Sequence, residues 1–317
     1  MNAQSRIFIA GHRGMVGSAL VREFEAHGYR NLVTRGHDLL DLTDQRAVRA
    51  FFADERIDVV LLAAARVGGI LANSMKPATF IYENLAIETN VIDAAYRAGV
   101  ERLVFFGSSC IYPKLCPQPI LESYLMSSAL EPTNEPYAIA KIAGLKLCEA
   151  YNRQHGTRYV ALMPTNLYGP NDNYDPASSH VLPALIRKAH EAKLANAPAL
   201  TIWGTGVPRR EFMHVDDLAS ATRFVLEQAL NDGVYNVGVG TDLTIHELAQ
   251  HVAQIVGFKG ELIFDRSKPD GTPRKLLDVS RLAQRGWHAT IGLTEGLRAV
   301  YAQYAAQHPI LDAVSNG

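Results

Sequence analysis

Short apolar runs alternate with longer amphipathic stretches through the first half of the chain. The apolar runs lack the alternation of half-buried strands, which predicts strands that are buried on both faces. They are RIFIA (6–10), NLVTR (31–35), VVLLAAA (59–65), RLVFFGS (102–108) and YVALMPT (159–165). The stretches between them carry apolar residues at helical spacing and lie at 15–28, 44–55, 78–99 and 136–155. This alternation predicts an α/β fold built on a doubly wound parallel sheet.

The pattern changes after Tyr168, where shorter and less regular elements follow. A loop rich in Asn, Asp and Ser (171–179) precedes a predicted helix at 180–194. We then expect isolated strands at TIWG, VYNVG and ELIFD, helices at 217–230, 245–256 and 293–304, and a loose tail at 305–317. We therefore predict a sheet domain over residues 1–170, which residues from about 201 to 240 are candidates to rejoin. Residues 171–317 would mostly form a smaller mixed α/β lobe over the carboxyl ends of the strands, where open sheets bind ligands.

Composition changes this picture only by what it excludes. Of the 317 residues, 48% are hydrophobic and 20% are charged, which is a globular balance. The formal net charge of -1 leaves no general basic field for nucleic acid or an anionic membrane. No apolar run approaches the roughly 18 residues of a membrane span, and the first residues lead into a strand rather than a signal peptide. The three cysteines lack CxxC or metal-like His spacing, which predicts free thiols in the cytoplasm and no metal site.

The first predicted strand leads into GHRGMVGSAL, in which three glycines are spaced as GxxGxxG. Glycines here let the backbone approach a pyrophosphate at the amino end of a helix. Their place on the first strand-turn-helix predicts a Rossmann dinucleotide-binding domain, and the alternative is that they serve helix packing alone. The candidate cofactor-binding residues of this turn are Gly11, His12, Arg13, Gly14, Met15, Val16 and Gly17.

The segment after the second strand indicates which nicotinamide cofactor is used. An NAD site usually places an acidic residue there to bind the ribose 2′-hydroxyl. Here Arg35 and His37 precede Asp38, and with Arg13 they could neutralise a 2′-phosphate, which favours NADP(H). The alternative is that Arg35 faces solvent and that Asp38 binds the ribose. Two further candidates, near the adenine, are Asp41 and Leu42.

The motif YAIAK places Tyr137 and Lys141 one helical turn apart, at the start of the helix after the fourth strand. A lysine ammonium and the charge of the cofactor would lower the tyrosine pKa from its ordinary value of about 10. Ser108, at the end of the fourth strand, would be a second donor to a substrate oxygen. Hydride transfer to a ketone needs such a pair, because one donor stabilises the developing oxyanion and the other delivers the proton. A surface Tyr–Lys pair without function is the alternative.

Together with R-x-F-x-H-V-D-D at 210–217, these motifs resemble the extended short-chain dehydrogenase/reductase superfamily. Within it, the chain is similar to the enzymes that epimerise and reduce GDP-4-keto-6-deoxy-D-mannose, from residue 6 to about 300. The segments that carry this likeness are GHRGMVGSAL, AARVGGI, FGSSCIYPK, PYAIAK, LMPTNLYGPNDNY, SSHVLPALIRK and WGTGVPRREFMHVDDLA. The resemblance implies an NADPH-dependent homodimer whose product is GDP-L-fucose.

The resemblance assigns Cys110 and His180 to proton transfer at the sugar. A 4-keto sugar has acidic protons at C3 and C5, and inverting either centre needs a base on one face and an acid on the other. A thiol with a pKa near 8.5 and an imidazole near 6.5 both exchange protons around neutrality. Ser108 and Tyr137 would hold the C4 oxygen in both steps. Without the resemblance, Cys110 would be a buried structural thiol and His180 a helix cap.

The resemblance also implies residues that bind the rest of the ligands. For the GDP-sugar they are Asn166, Lys188, Trp203, Arg210 and Asp278, and for the cofactor Lys141, Pro164, Asn166, Leu167 and His180. Lys188 departs from the arginine expected there, and a lysine loses the bidentate fork that suits a phosphate. Asn166 could instead serve only the turn after its strand.

Two other functions stay open at this point. The same chemistry could act on a GDP-4-keto-3,6-dideoxy sugar of the colitose type, or the chain could be a non-catalytic redox sensor that binds NADP. A simple nucleotide-sugar 4-epimerase fits less well, because it would not need the Cys110 and His180 pair.

Overall fold

The computed structural model describes residues 1–231, 233–268 and 270–308. Its strands are β1 (Ile7–Ala10), β2 (Leu32–Val33), β3 (Val59–Leu62), β4 (Arg102–Phe106), β5 (Arg158–Pro164), β6 (Asn166–Tyr168), β7 (Ala199–Trp203), β8 (Arg209–Arg210), β9 (Phe212–His214), β10 (Val234–Val237), β11 (Leu243–Thr244), β12 (Glu261–Asp265) and β13 (Arg274–Lys275). Its α-helices are α1 (Met15–Ala26), α2 (Gln45–Asp54), α3 (Ile70–Met75), α4 (Pro77–Arg97), α5 (Glu135–His155), α6 (Val181–Leu194), α7 (Val215–Glu227), α8 (Ile245–Val256), α9 (Ser280–Ala283) and α10 (Leu293–Gln307).

Six parallel strands form the main sheet in the order β10-β5-β4-β3-β1-β2. Alternate residues of each strand face opposite layers, so Phe105 packs with α4 and α5, whereas Val104 packs with α1 and α7. All four residues of β1 and of β3 are buried, which is why these strands read as unbroken apolar runs. The predicted doubly wound parallel sheet is confirmed.

Local sequence signals account for where several helices begin and end. Asp44 accepts hydrogen bonds from the backbone N–H groups of Arg46 and Ala47 at the start of α2. Helix α5 has a proline in its first turn and ends at Gly156, whose φ of 71° suits a residue without a side chain. These signals lie within a few residues of the helix ends, so they can be recognised in the sequence.

One prediction about the second half of the chain is wrong. VYNVG was expected to be an isolated strand, but β10 pairs in parallel with β5 as an edge strand of the main sheet. TIWG instead lies in β7, which pairs with β12 in a separate two-stranded sheet. Only the later part of residues 201–240 thus returns to the main sheet, because α7 packs beside α1 and leads into β10.

A third apolar cluster lies among α6, α8 and α10 and holds the smaller lobe together. Leu185, Leu248, Val252 and Leu297 are at its centre, each at most 3% exposed. Of the predicted tail, residues 305–307 continue α10, and residues 309–317 lie outside the described part of the chain. Within the described residues, no helix is both long enough and apolar enough to cross a membrane.

Candidate active site

The glycine turn between β1 and α1 is shaped to receive a pyrophosphate. Gly11 has a φ of 84°, and a Cβ at Gly17 would lie 2.1 Å from the Gly11 carbonyl oxygen. Either glycine would therefore clash or strain if it carried a side chain. Helix α1 begins behind Gly14, and no side chain caps its first N–H groups. Free N–H groups at a helix start favour an anion, so this turn fits a dinucleotide.

The three residues predicted to bind a 2′-phosphate, Arg13, Arg35 and His37, have different surroundings. The Arg13 guanidinium lies 3.4 Å from the Asp38 carboxylate, and both side chains are largely exposed, as is His37. Arg35 instead pairs at 2.5 Å with Glu55, the residue that follows α2, and lies over the Phe51 ring. The structure thus leaves Arg13 and His37 open to a ligand, whereas Arg35 is held by its neighbours.

Asp41 and Leu42 are also engaged in local contacts. The Asp41 carboxylate accepts hydrogen bonds from the backbone N–H and the hydroxyl of Thr43, and these bonds lower its pKa. The Leu42 carbonyl accepts from the Asn90 side chain, and its own side chain packs against the core. Their contacts fix the loop after β2, which is consistent with a wall beside the adenine.

The carboxyl end of β4 brings Ser108, Cys110 and Tyr137 together. Ser108 precedes a short 3-10 turn, and its hydroxyl accepts a hydrogen bond from the Cys110 N–H at 3.2 Å. Tyr137, in the first turn of α5, lies close enough to the same hydroxyl for Ser108 to lower the tyrosine pKa. The predicted serine and tyrosine therefore lie together at the end of β4.

The sequence predicted that Lys141 and the charge of the cofactor together would lower the pKa of Tyr137, whereas the protein surroundings of Tyr137 raise it. Burial raises this pKa, nearby Cys110 and Glu88 raise it further, and the Ser108 hydrogen bond offsets only part of the rise. Burial is the main reason, and a smaller one is Glu88 of α4, which lies 3.0 Å from the Lys141 ammonium with both side chains almost fully buried. The carboxylate balances the lysine charge that the sequence prediction left uncompensated.

Cys110 has a partner that the sequence did not indicate. Lys275 of β13 places its Nζ 3.5 Å from the Cys110 Sγ. Burial alone raises the pKa of this thiol, but Lys275, the Ser108 hydrogen bond and the Arg210 charge outweigh it, so the net pKa is lowered. The lowered pKa increases the thiolate fraction of Cys110 relative to an ordinary thiol.

His180 lies immediately before α6, where its side chain does not cap the helix. Part of the His180 side chain reaches solvent. Its pKa is nevertheless lowered, mainly because the surrounding protein desolvates the ring and secondly because of the Lys275 charge. The loop after β3 supports this segment, because the Gly69 N–H donates to the Ser178 carbonyl at 2.9 Å. Lys275 thus influences both residues proposed for the epimerisation.

A buried carboxylate, Glu211, aligns the segments around the site and was also missed. Its oxygens accept from the N–H groups of Val239, Gly240 and Leu277 at 2.6 to 3.1 Å. Its carbonyl accepts from the Asn166 side chain at 2.8 Å. Glu211 therefore ties Asn166 to the strand end that carries Lys275. The flanking Pro164 and Leu167 lie at the end of β5 and in β6.

The proposed nucleotide-binding residues Lys188, Trp203, Arg210 and Asp278 have three different settings. Lys188 lies over the half-exposed Trp203 ring, with its Nζ 5.2 Å from the ring centroid. Arg210 pairs in register with Lys275, and burial lowers its pKa. The Asp278 carboxylate is engaged elsewhere, because it accepts hydrogen bonds from the backbone N–H and the hydroxyl of Ser280.

A different carboxylate lies beside Trp203. Asp270 accepts from the Thr205 N–H at 2.7 Å and from its hydroxyl at 2.8 Å, and its charge acts on Arg210. No motif in the sequence marked Asp270. The contact of Gly204, whose φ is 84°, with the Asp270 side chain is visible only in the fold.

The fold and this arrangement define a Rossmann oxidoreductase with additional acid–base groups, and a family comparison agrees. Residues 7–238 match the model of the NAD dependent epimerase/dehydratase family, and the chain belongs to that family. The chain is 58% identical over 308 residues to the GDP-L-fucose synthase of Escherichia coli K12, covering 94% of this chain and 96% of that protein. It is 56% identical to GDP-L-fucose synthase 1 of Arabidopsis thaliana, covering 95% and 93%.

A solved structure agrees in fold. The crystal structure of a GDP-6-OMe-4-keto-L-xylo-heptose reductase from C. jejuni superimposes with a TM-score of 0.92 at 39% identity, covering 97% of this chain and 99% of that chain. The predicted superfamily resemblance is confirmed by these similarities.

Substituting Lys275 by methionine is expected to raise the pH midpoint for alkylation of Cys110 by about 1 unit, because the thiolate loses its nearest positive charge. The measurement is the rate of iodoacetamide labelling against pH in a Cys116→Ser background, in which the third thiol, Cys148, is buried. Lys146→Met removes a lysine from the outer face of α5 and should leave the midpoint in place. An unchanged midpoint in Lys275→Met would contradict the role of Lys275.

Proposed function

We propose that the chain uses NADPH to convert GDP-4-keto-6-deoxy-D-mannose to GDP-L-fucose, by inversion at C3 and C5 and reduction at C4. The observation that carries this proposal is the position of Cys110, paired with Lys275, directly beside the Ser108 and Tyr137 oxygen-binding pair. A plain ketone reductase needs only the oxygen-binding pair. The names of the relatives reported above support the same substrate.

Proton transfer at C3 and C5 uses the C4 ketone as an electron sink. Cys110 and His180 are the pair that removes a proton from one face of the carbon and returns one to the other. While the C–H bond is broken, the electron pair moves onto the C4 oxygen, where the Ser108 and Tyr137 hydroxyls donate to it. Because Lys275 favours the thiolate, Cys110 can accept a proton without help from a further base.

Reduction uses the same oxygen-binding position. NADPH, when bound, supplies the hydride that reaches C4. Tyr137 gives its proton to the C4 oxygen as charge develops there, and Ser108 continues to donate. The raised pKa of Tyr137 keeps this hydroxyl protonated at neutral pH. One pair of donors thus serves the enolate of the first step and the alkoxide of the second.

The nucleotide end would be held by charge and stacking. Lys188 and Arg210 would meet the pyrophosphate, and the exposed Trp203 face would cover the base or sugar. Asp270, beside the turn after Trp203, is a second candidate with Asp278 to accept from donor groups of the ligand. The resemblance also leads us to propose a homodimer that is located in the cytoplasm. Light scattering of the purified protein tests the dimer.

The experiment that tests this function compares two substrates and resolves the products. NADPH oxidation with GDP-4-keto-6-deoxy-D-mannose should exceed that with the 3,6-dideoxy analogue, and the product should be GDP-L-fucose. Faster turnover of the dideoxy sugar would reassign the enzyme to the colitose type. If the protein binds NADPH but oxidises it with neither substrate, the result would favour the redox sensor instead.

Arg13→Ala is expected to weaken NADPH binding about tenfold and to leave NADH binding unchanged, because Arg13 is a largely exposed guanidinium in the glycine turn whose partner, Asp38, is also exposed. Fluorescence titration with both cofactors measures this. Arg35→Ala is the matched comparison, and its effect on NADPH should be smaller because Arg35 is held by Glu55. A larger effect at Arg35 would contradict this division of roles.

A further inference from the structure

Glu88 lies in the middle of α4, on the face that packs against α5, and its side chain is 1% exposed. Asn84, one helical turn earlier, is also buried, and its amide bonds the Arg66 backbone and the Phe80 carbonyl. Glu88 is therefore one of two buried polar residues on this face, and its carboxylate lies 3.0 Å from the Lys141 ammonium. These two positions fix the loop after β3 and the lysine of the YxxxK motif.

The surrounding sequence makes room for this carboxylate. Gly144 follows Lys141 by three residues, and a Cβ there would lie 2.5 Å from Glu88 Oε2 and 2.6 Å from the Phe105 ring. Phe105 in turn lies under the lysine, with Nζ 4.7 Å from the ring centroid. A glycine inside a helix costs stability relative to alanine, so its presence here is explained by the space that Glu88 and Phe105 need.

Packing alone does not account for a carboxylate at this position. A buried ion pair often stabilises a fold no better than apolar side chains of similar size, and removal of one partner leaves an unpaired buried charge. An apolar residue could close α4 against α5 at this level, as Val91 does one turn later. Glu88 is therefore better explained by what it does to Lys141.

Among the described residues, three titratable groups of α5 interact electrostatically with Glu88. They are Lys141, Tyr137 and Cys148, and the carboxylate raises the pKa of both the tyrosine and the cysteine. Burial is the larger cause of each rise. Burial raises the pKa of Glu88 itself, and Lys141 opposes that rise. The carboxylate and the ammonium thus set the charge balance behind the tyrosine hydroxyl.

We propose that Glu88 is a positioning residue for the reduction step. Its carboxylate anchors the Lys141 ammonium between α4 and α5 and balances its charge, so that Tyr137 stays a protonated acid until it gives its proton to the C4 oxygen. This inference rests on the proposed function for the identity of the reacting oxygen. It does not depend on which nucleotide sugar is bound.

The test is the pH dependence of hydride transfer in Glu88→Gln, which keeps the shape of the side chain and removes its charge. Reduction is lost as pH rises through the Tyr137 pKa, and this pKa falls when the carboxylate is removed. We therefore expect the alkaline limb of single-turnover NADPH oxidation to move to lower pH by about 1 unit. Glu88→Asp retains the charge and should return the limb towards its wild-type position.

A second readout does not depend on turnover. Fluorescence titration of NADPH should give a dissociation constant several-fold higher in Glu88→Gln, because the unanchored Lys141 is less well placed for the ribose. The matched control is Glu23→Gln, which removes a partly buried ion pair with Arg223 between α1 and α7. This control should change neither the alkaline limb nor NADPH binding.

Two results would overturn the role of Glu88. One is a wild-type alkaline limb and wild-type NADPH binding in Glu88→Gln. The other is an equal loss of rate at every pH in both Glu88 variants, together with a lower melting temperature, which would indicate a purely structural residue. If the wild-type protein transfers no hydride to the 4-keto sugar, the proposed function fails, and NADPH binding alone then decides the role of Glu88.

Discussion

Replacing Cys110 with serine is expected to stop inversion at C3 and C5 while hydride transfer to C4 continues. A serine hydroxyl has no accessible anion near neutral pH, so it cannot replace the thiolate that Lys275 favours. General acid–base groups contribute about 10² to 10⁴ in rate, and a loss of at least 10³ in epimerisation is expected. The measurement is proton exchange at C3 and C5 by NMR, alongside NADPH oxidation.

Cys116→Ser is the matched control for this experiment. Cys116 is a partly buried free thiol whose pKa is raised by burial, and it contacts the Gln118 side chain outside the cluster of catalytic groups. It should retain wild-type rates in both assays. Normal epimerisation in Cys110→Ser would return Cys110 to a structural role and leave the protein a plain ketone reductase.

Tyr137→Phe is expected to lower the rate of NADPH oxidation by about 10³, because the variant cannot give a proton to the C4 oxygen. Epimerisation should fall less, since Ser108 remains as a donor to the enolate oxygen. NADPH should still bind, because Lys141 and the glycine turn are unchanged. Stopped-flow oxidation and a separate binding titration distinguish the chemical step from loss of the cofactor.

Tyr151→Phe provides a control on the same helix. Its hydroxyl donates to Asp93 at 2.9 Å, near the opposite end of α5 from Tyr137. Loss of that hydrogen bond should change stability slightly and leave hydride transfer as in the wild type. If Tyr137→Phe reduced the ketone at the wild-type rate, another group would have to supply the proton, and the central role of YxxxK would be wrong.

The parts of the fold that local signals determine could be predicted from the sequence. The unbroken apolar runs predicted β1, β3, β4 and β5, because each strand is covered on both faces by helices. The glycine turn could be recognised because its strand, turn and helix are consecutive. Ser108 and Tyr137 could be selected as candidates because they lie at a recognisable strand end and helix start, Lys141 follows from the YxxxK spacing, and Cys110 was assigned by the family resemblance.

Pairings between distant segments were not predictable in this way. β10 was taken as isolated because its sheet partner, β5, lies about seventy residues earlier. Lys275 reaches Cys110 because β13 pairs with β8, and neither of these two-residue strands has a periodicity to detect. Glu88 reads as one polar position in an amphipathic helix until α5 is packed against it.

Hydrogen-bond and ion-pair partners also determine whether a residue of suitable type is available to a ligand. Arg35 is held by Glu55, and the Asp278 carboxylate bonds Ser280, so neither is as available to a ligand as the sequence suggested. Asp270, which the sequence did not mark, contacts the turn after Trp203 through Thr205. A residue type at a matching position thus indicates a site only after its neighbours are known.

The central claim is that one cleft inverts two carbons and then reduces a third. The most direct measurement is the reaction of GDP-4-keto-6-deoxy-D-mannose with NADPH in D₂O, with the product analysed by NMR. The account predicts GDP-L-fucose with solvent deuterium at C3 and C5 and the hydrogen from NADPH at C4. A reduced sugar of the original D configuration, without deuterium at either carbon, would contradict it.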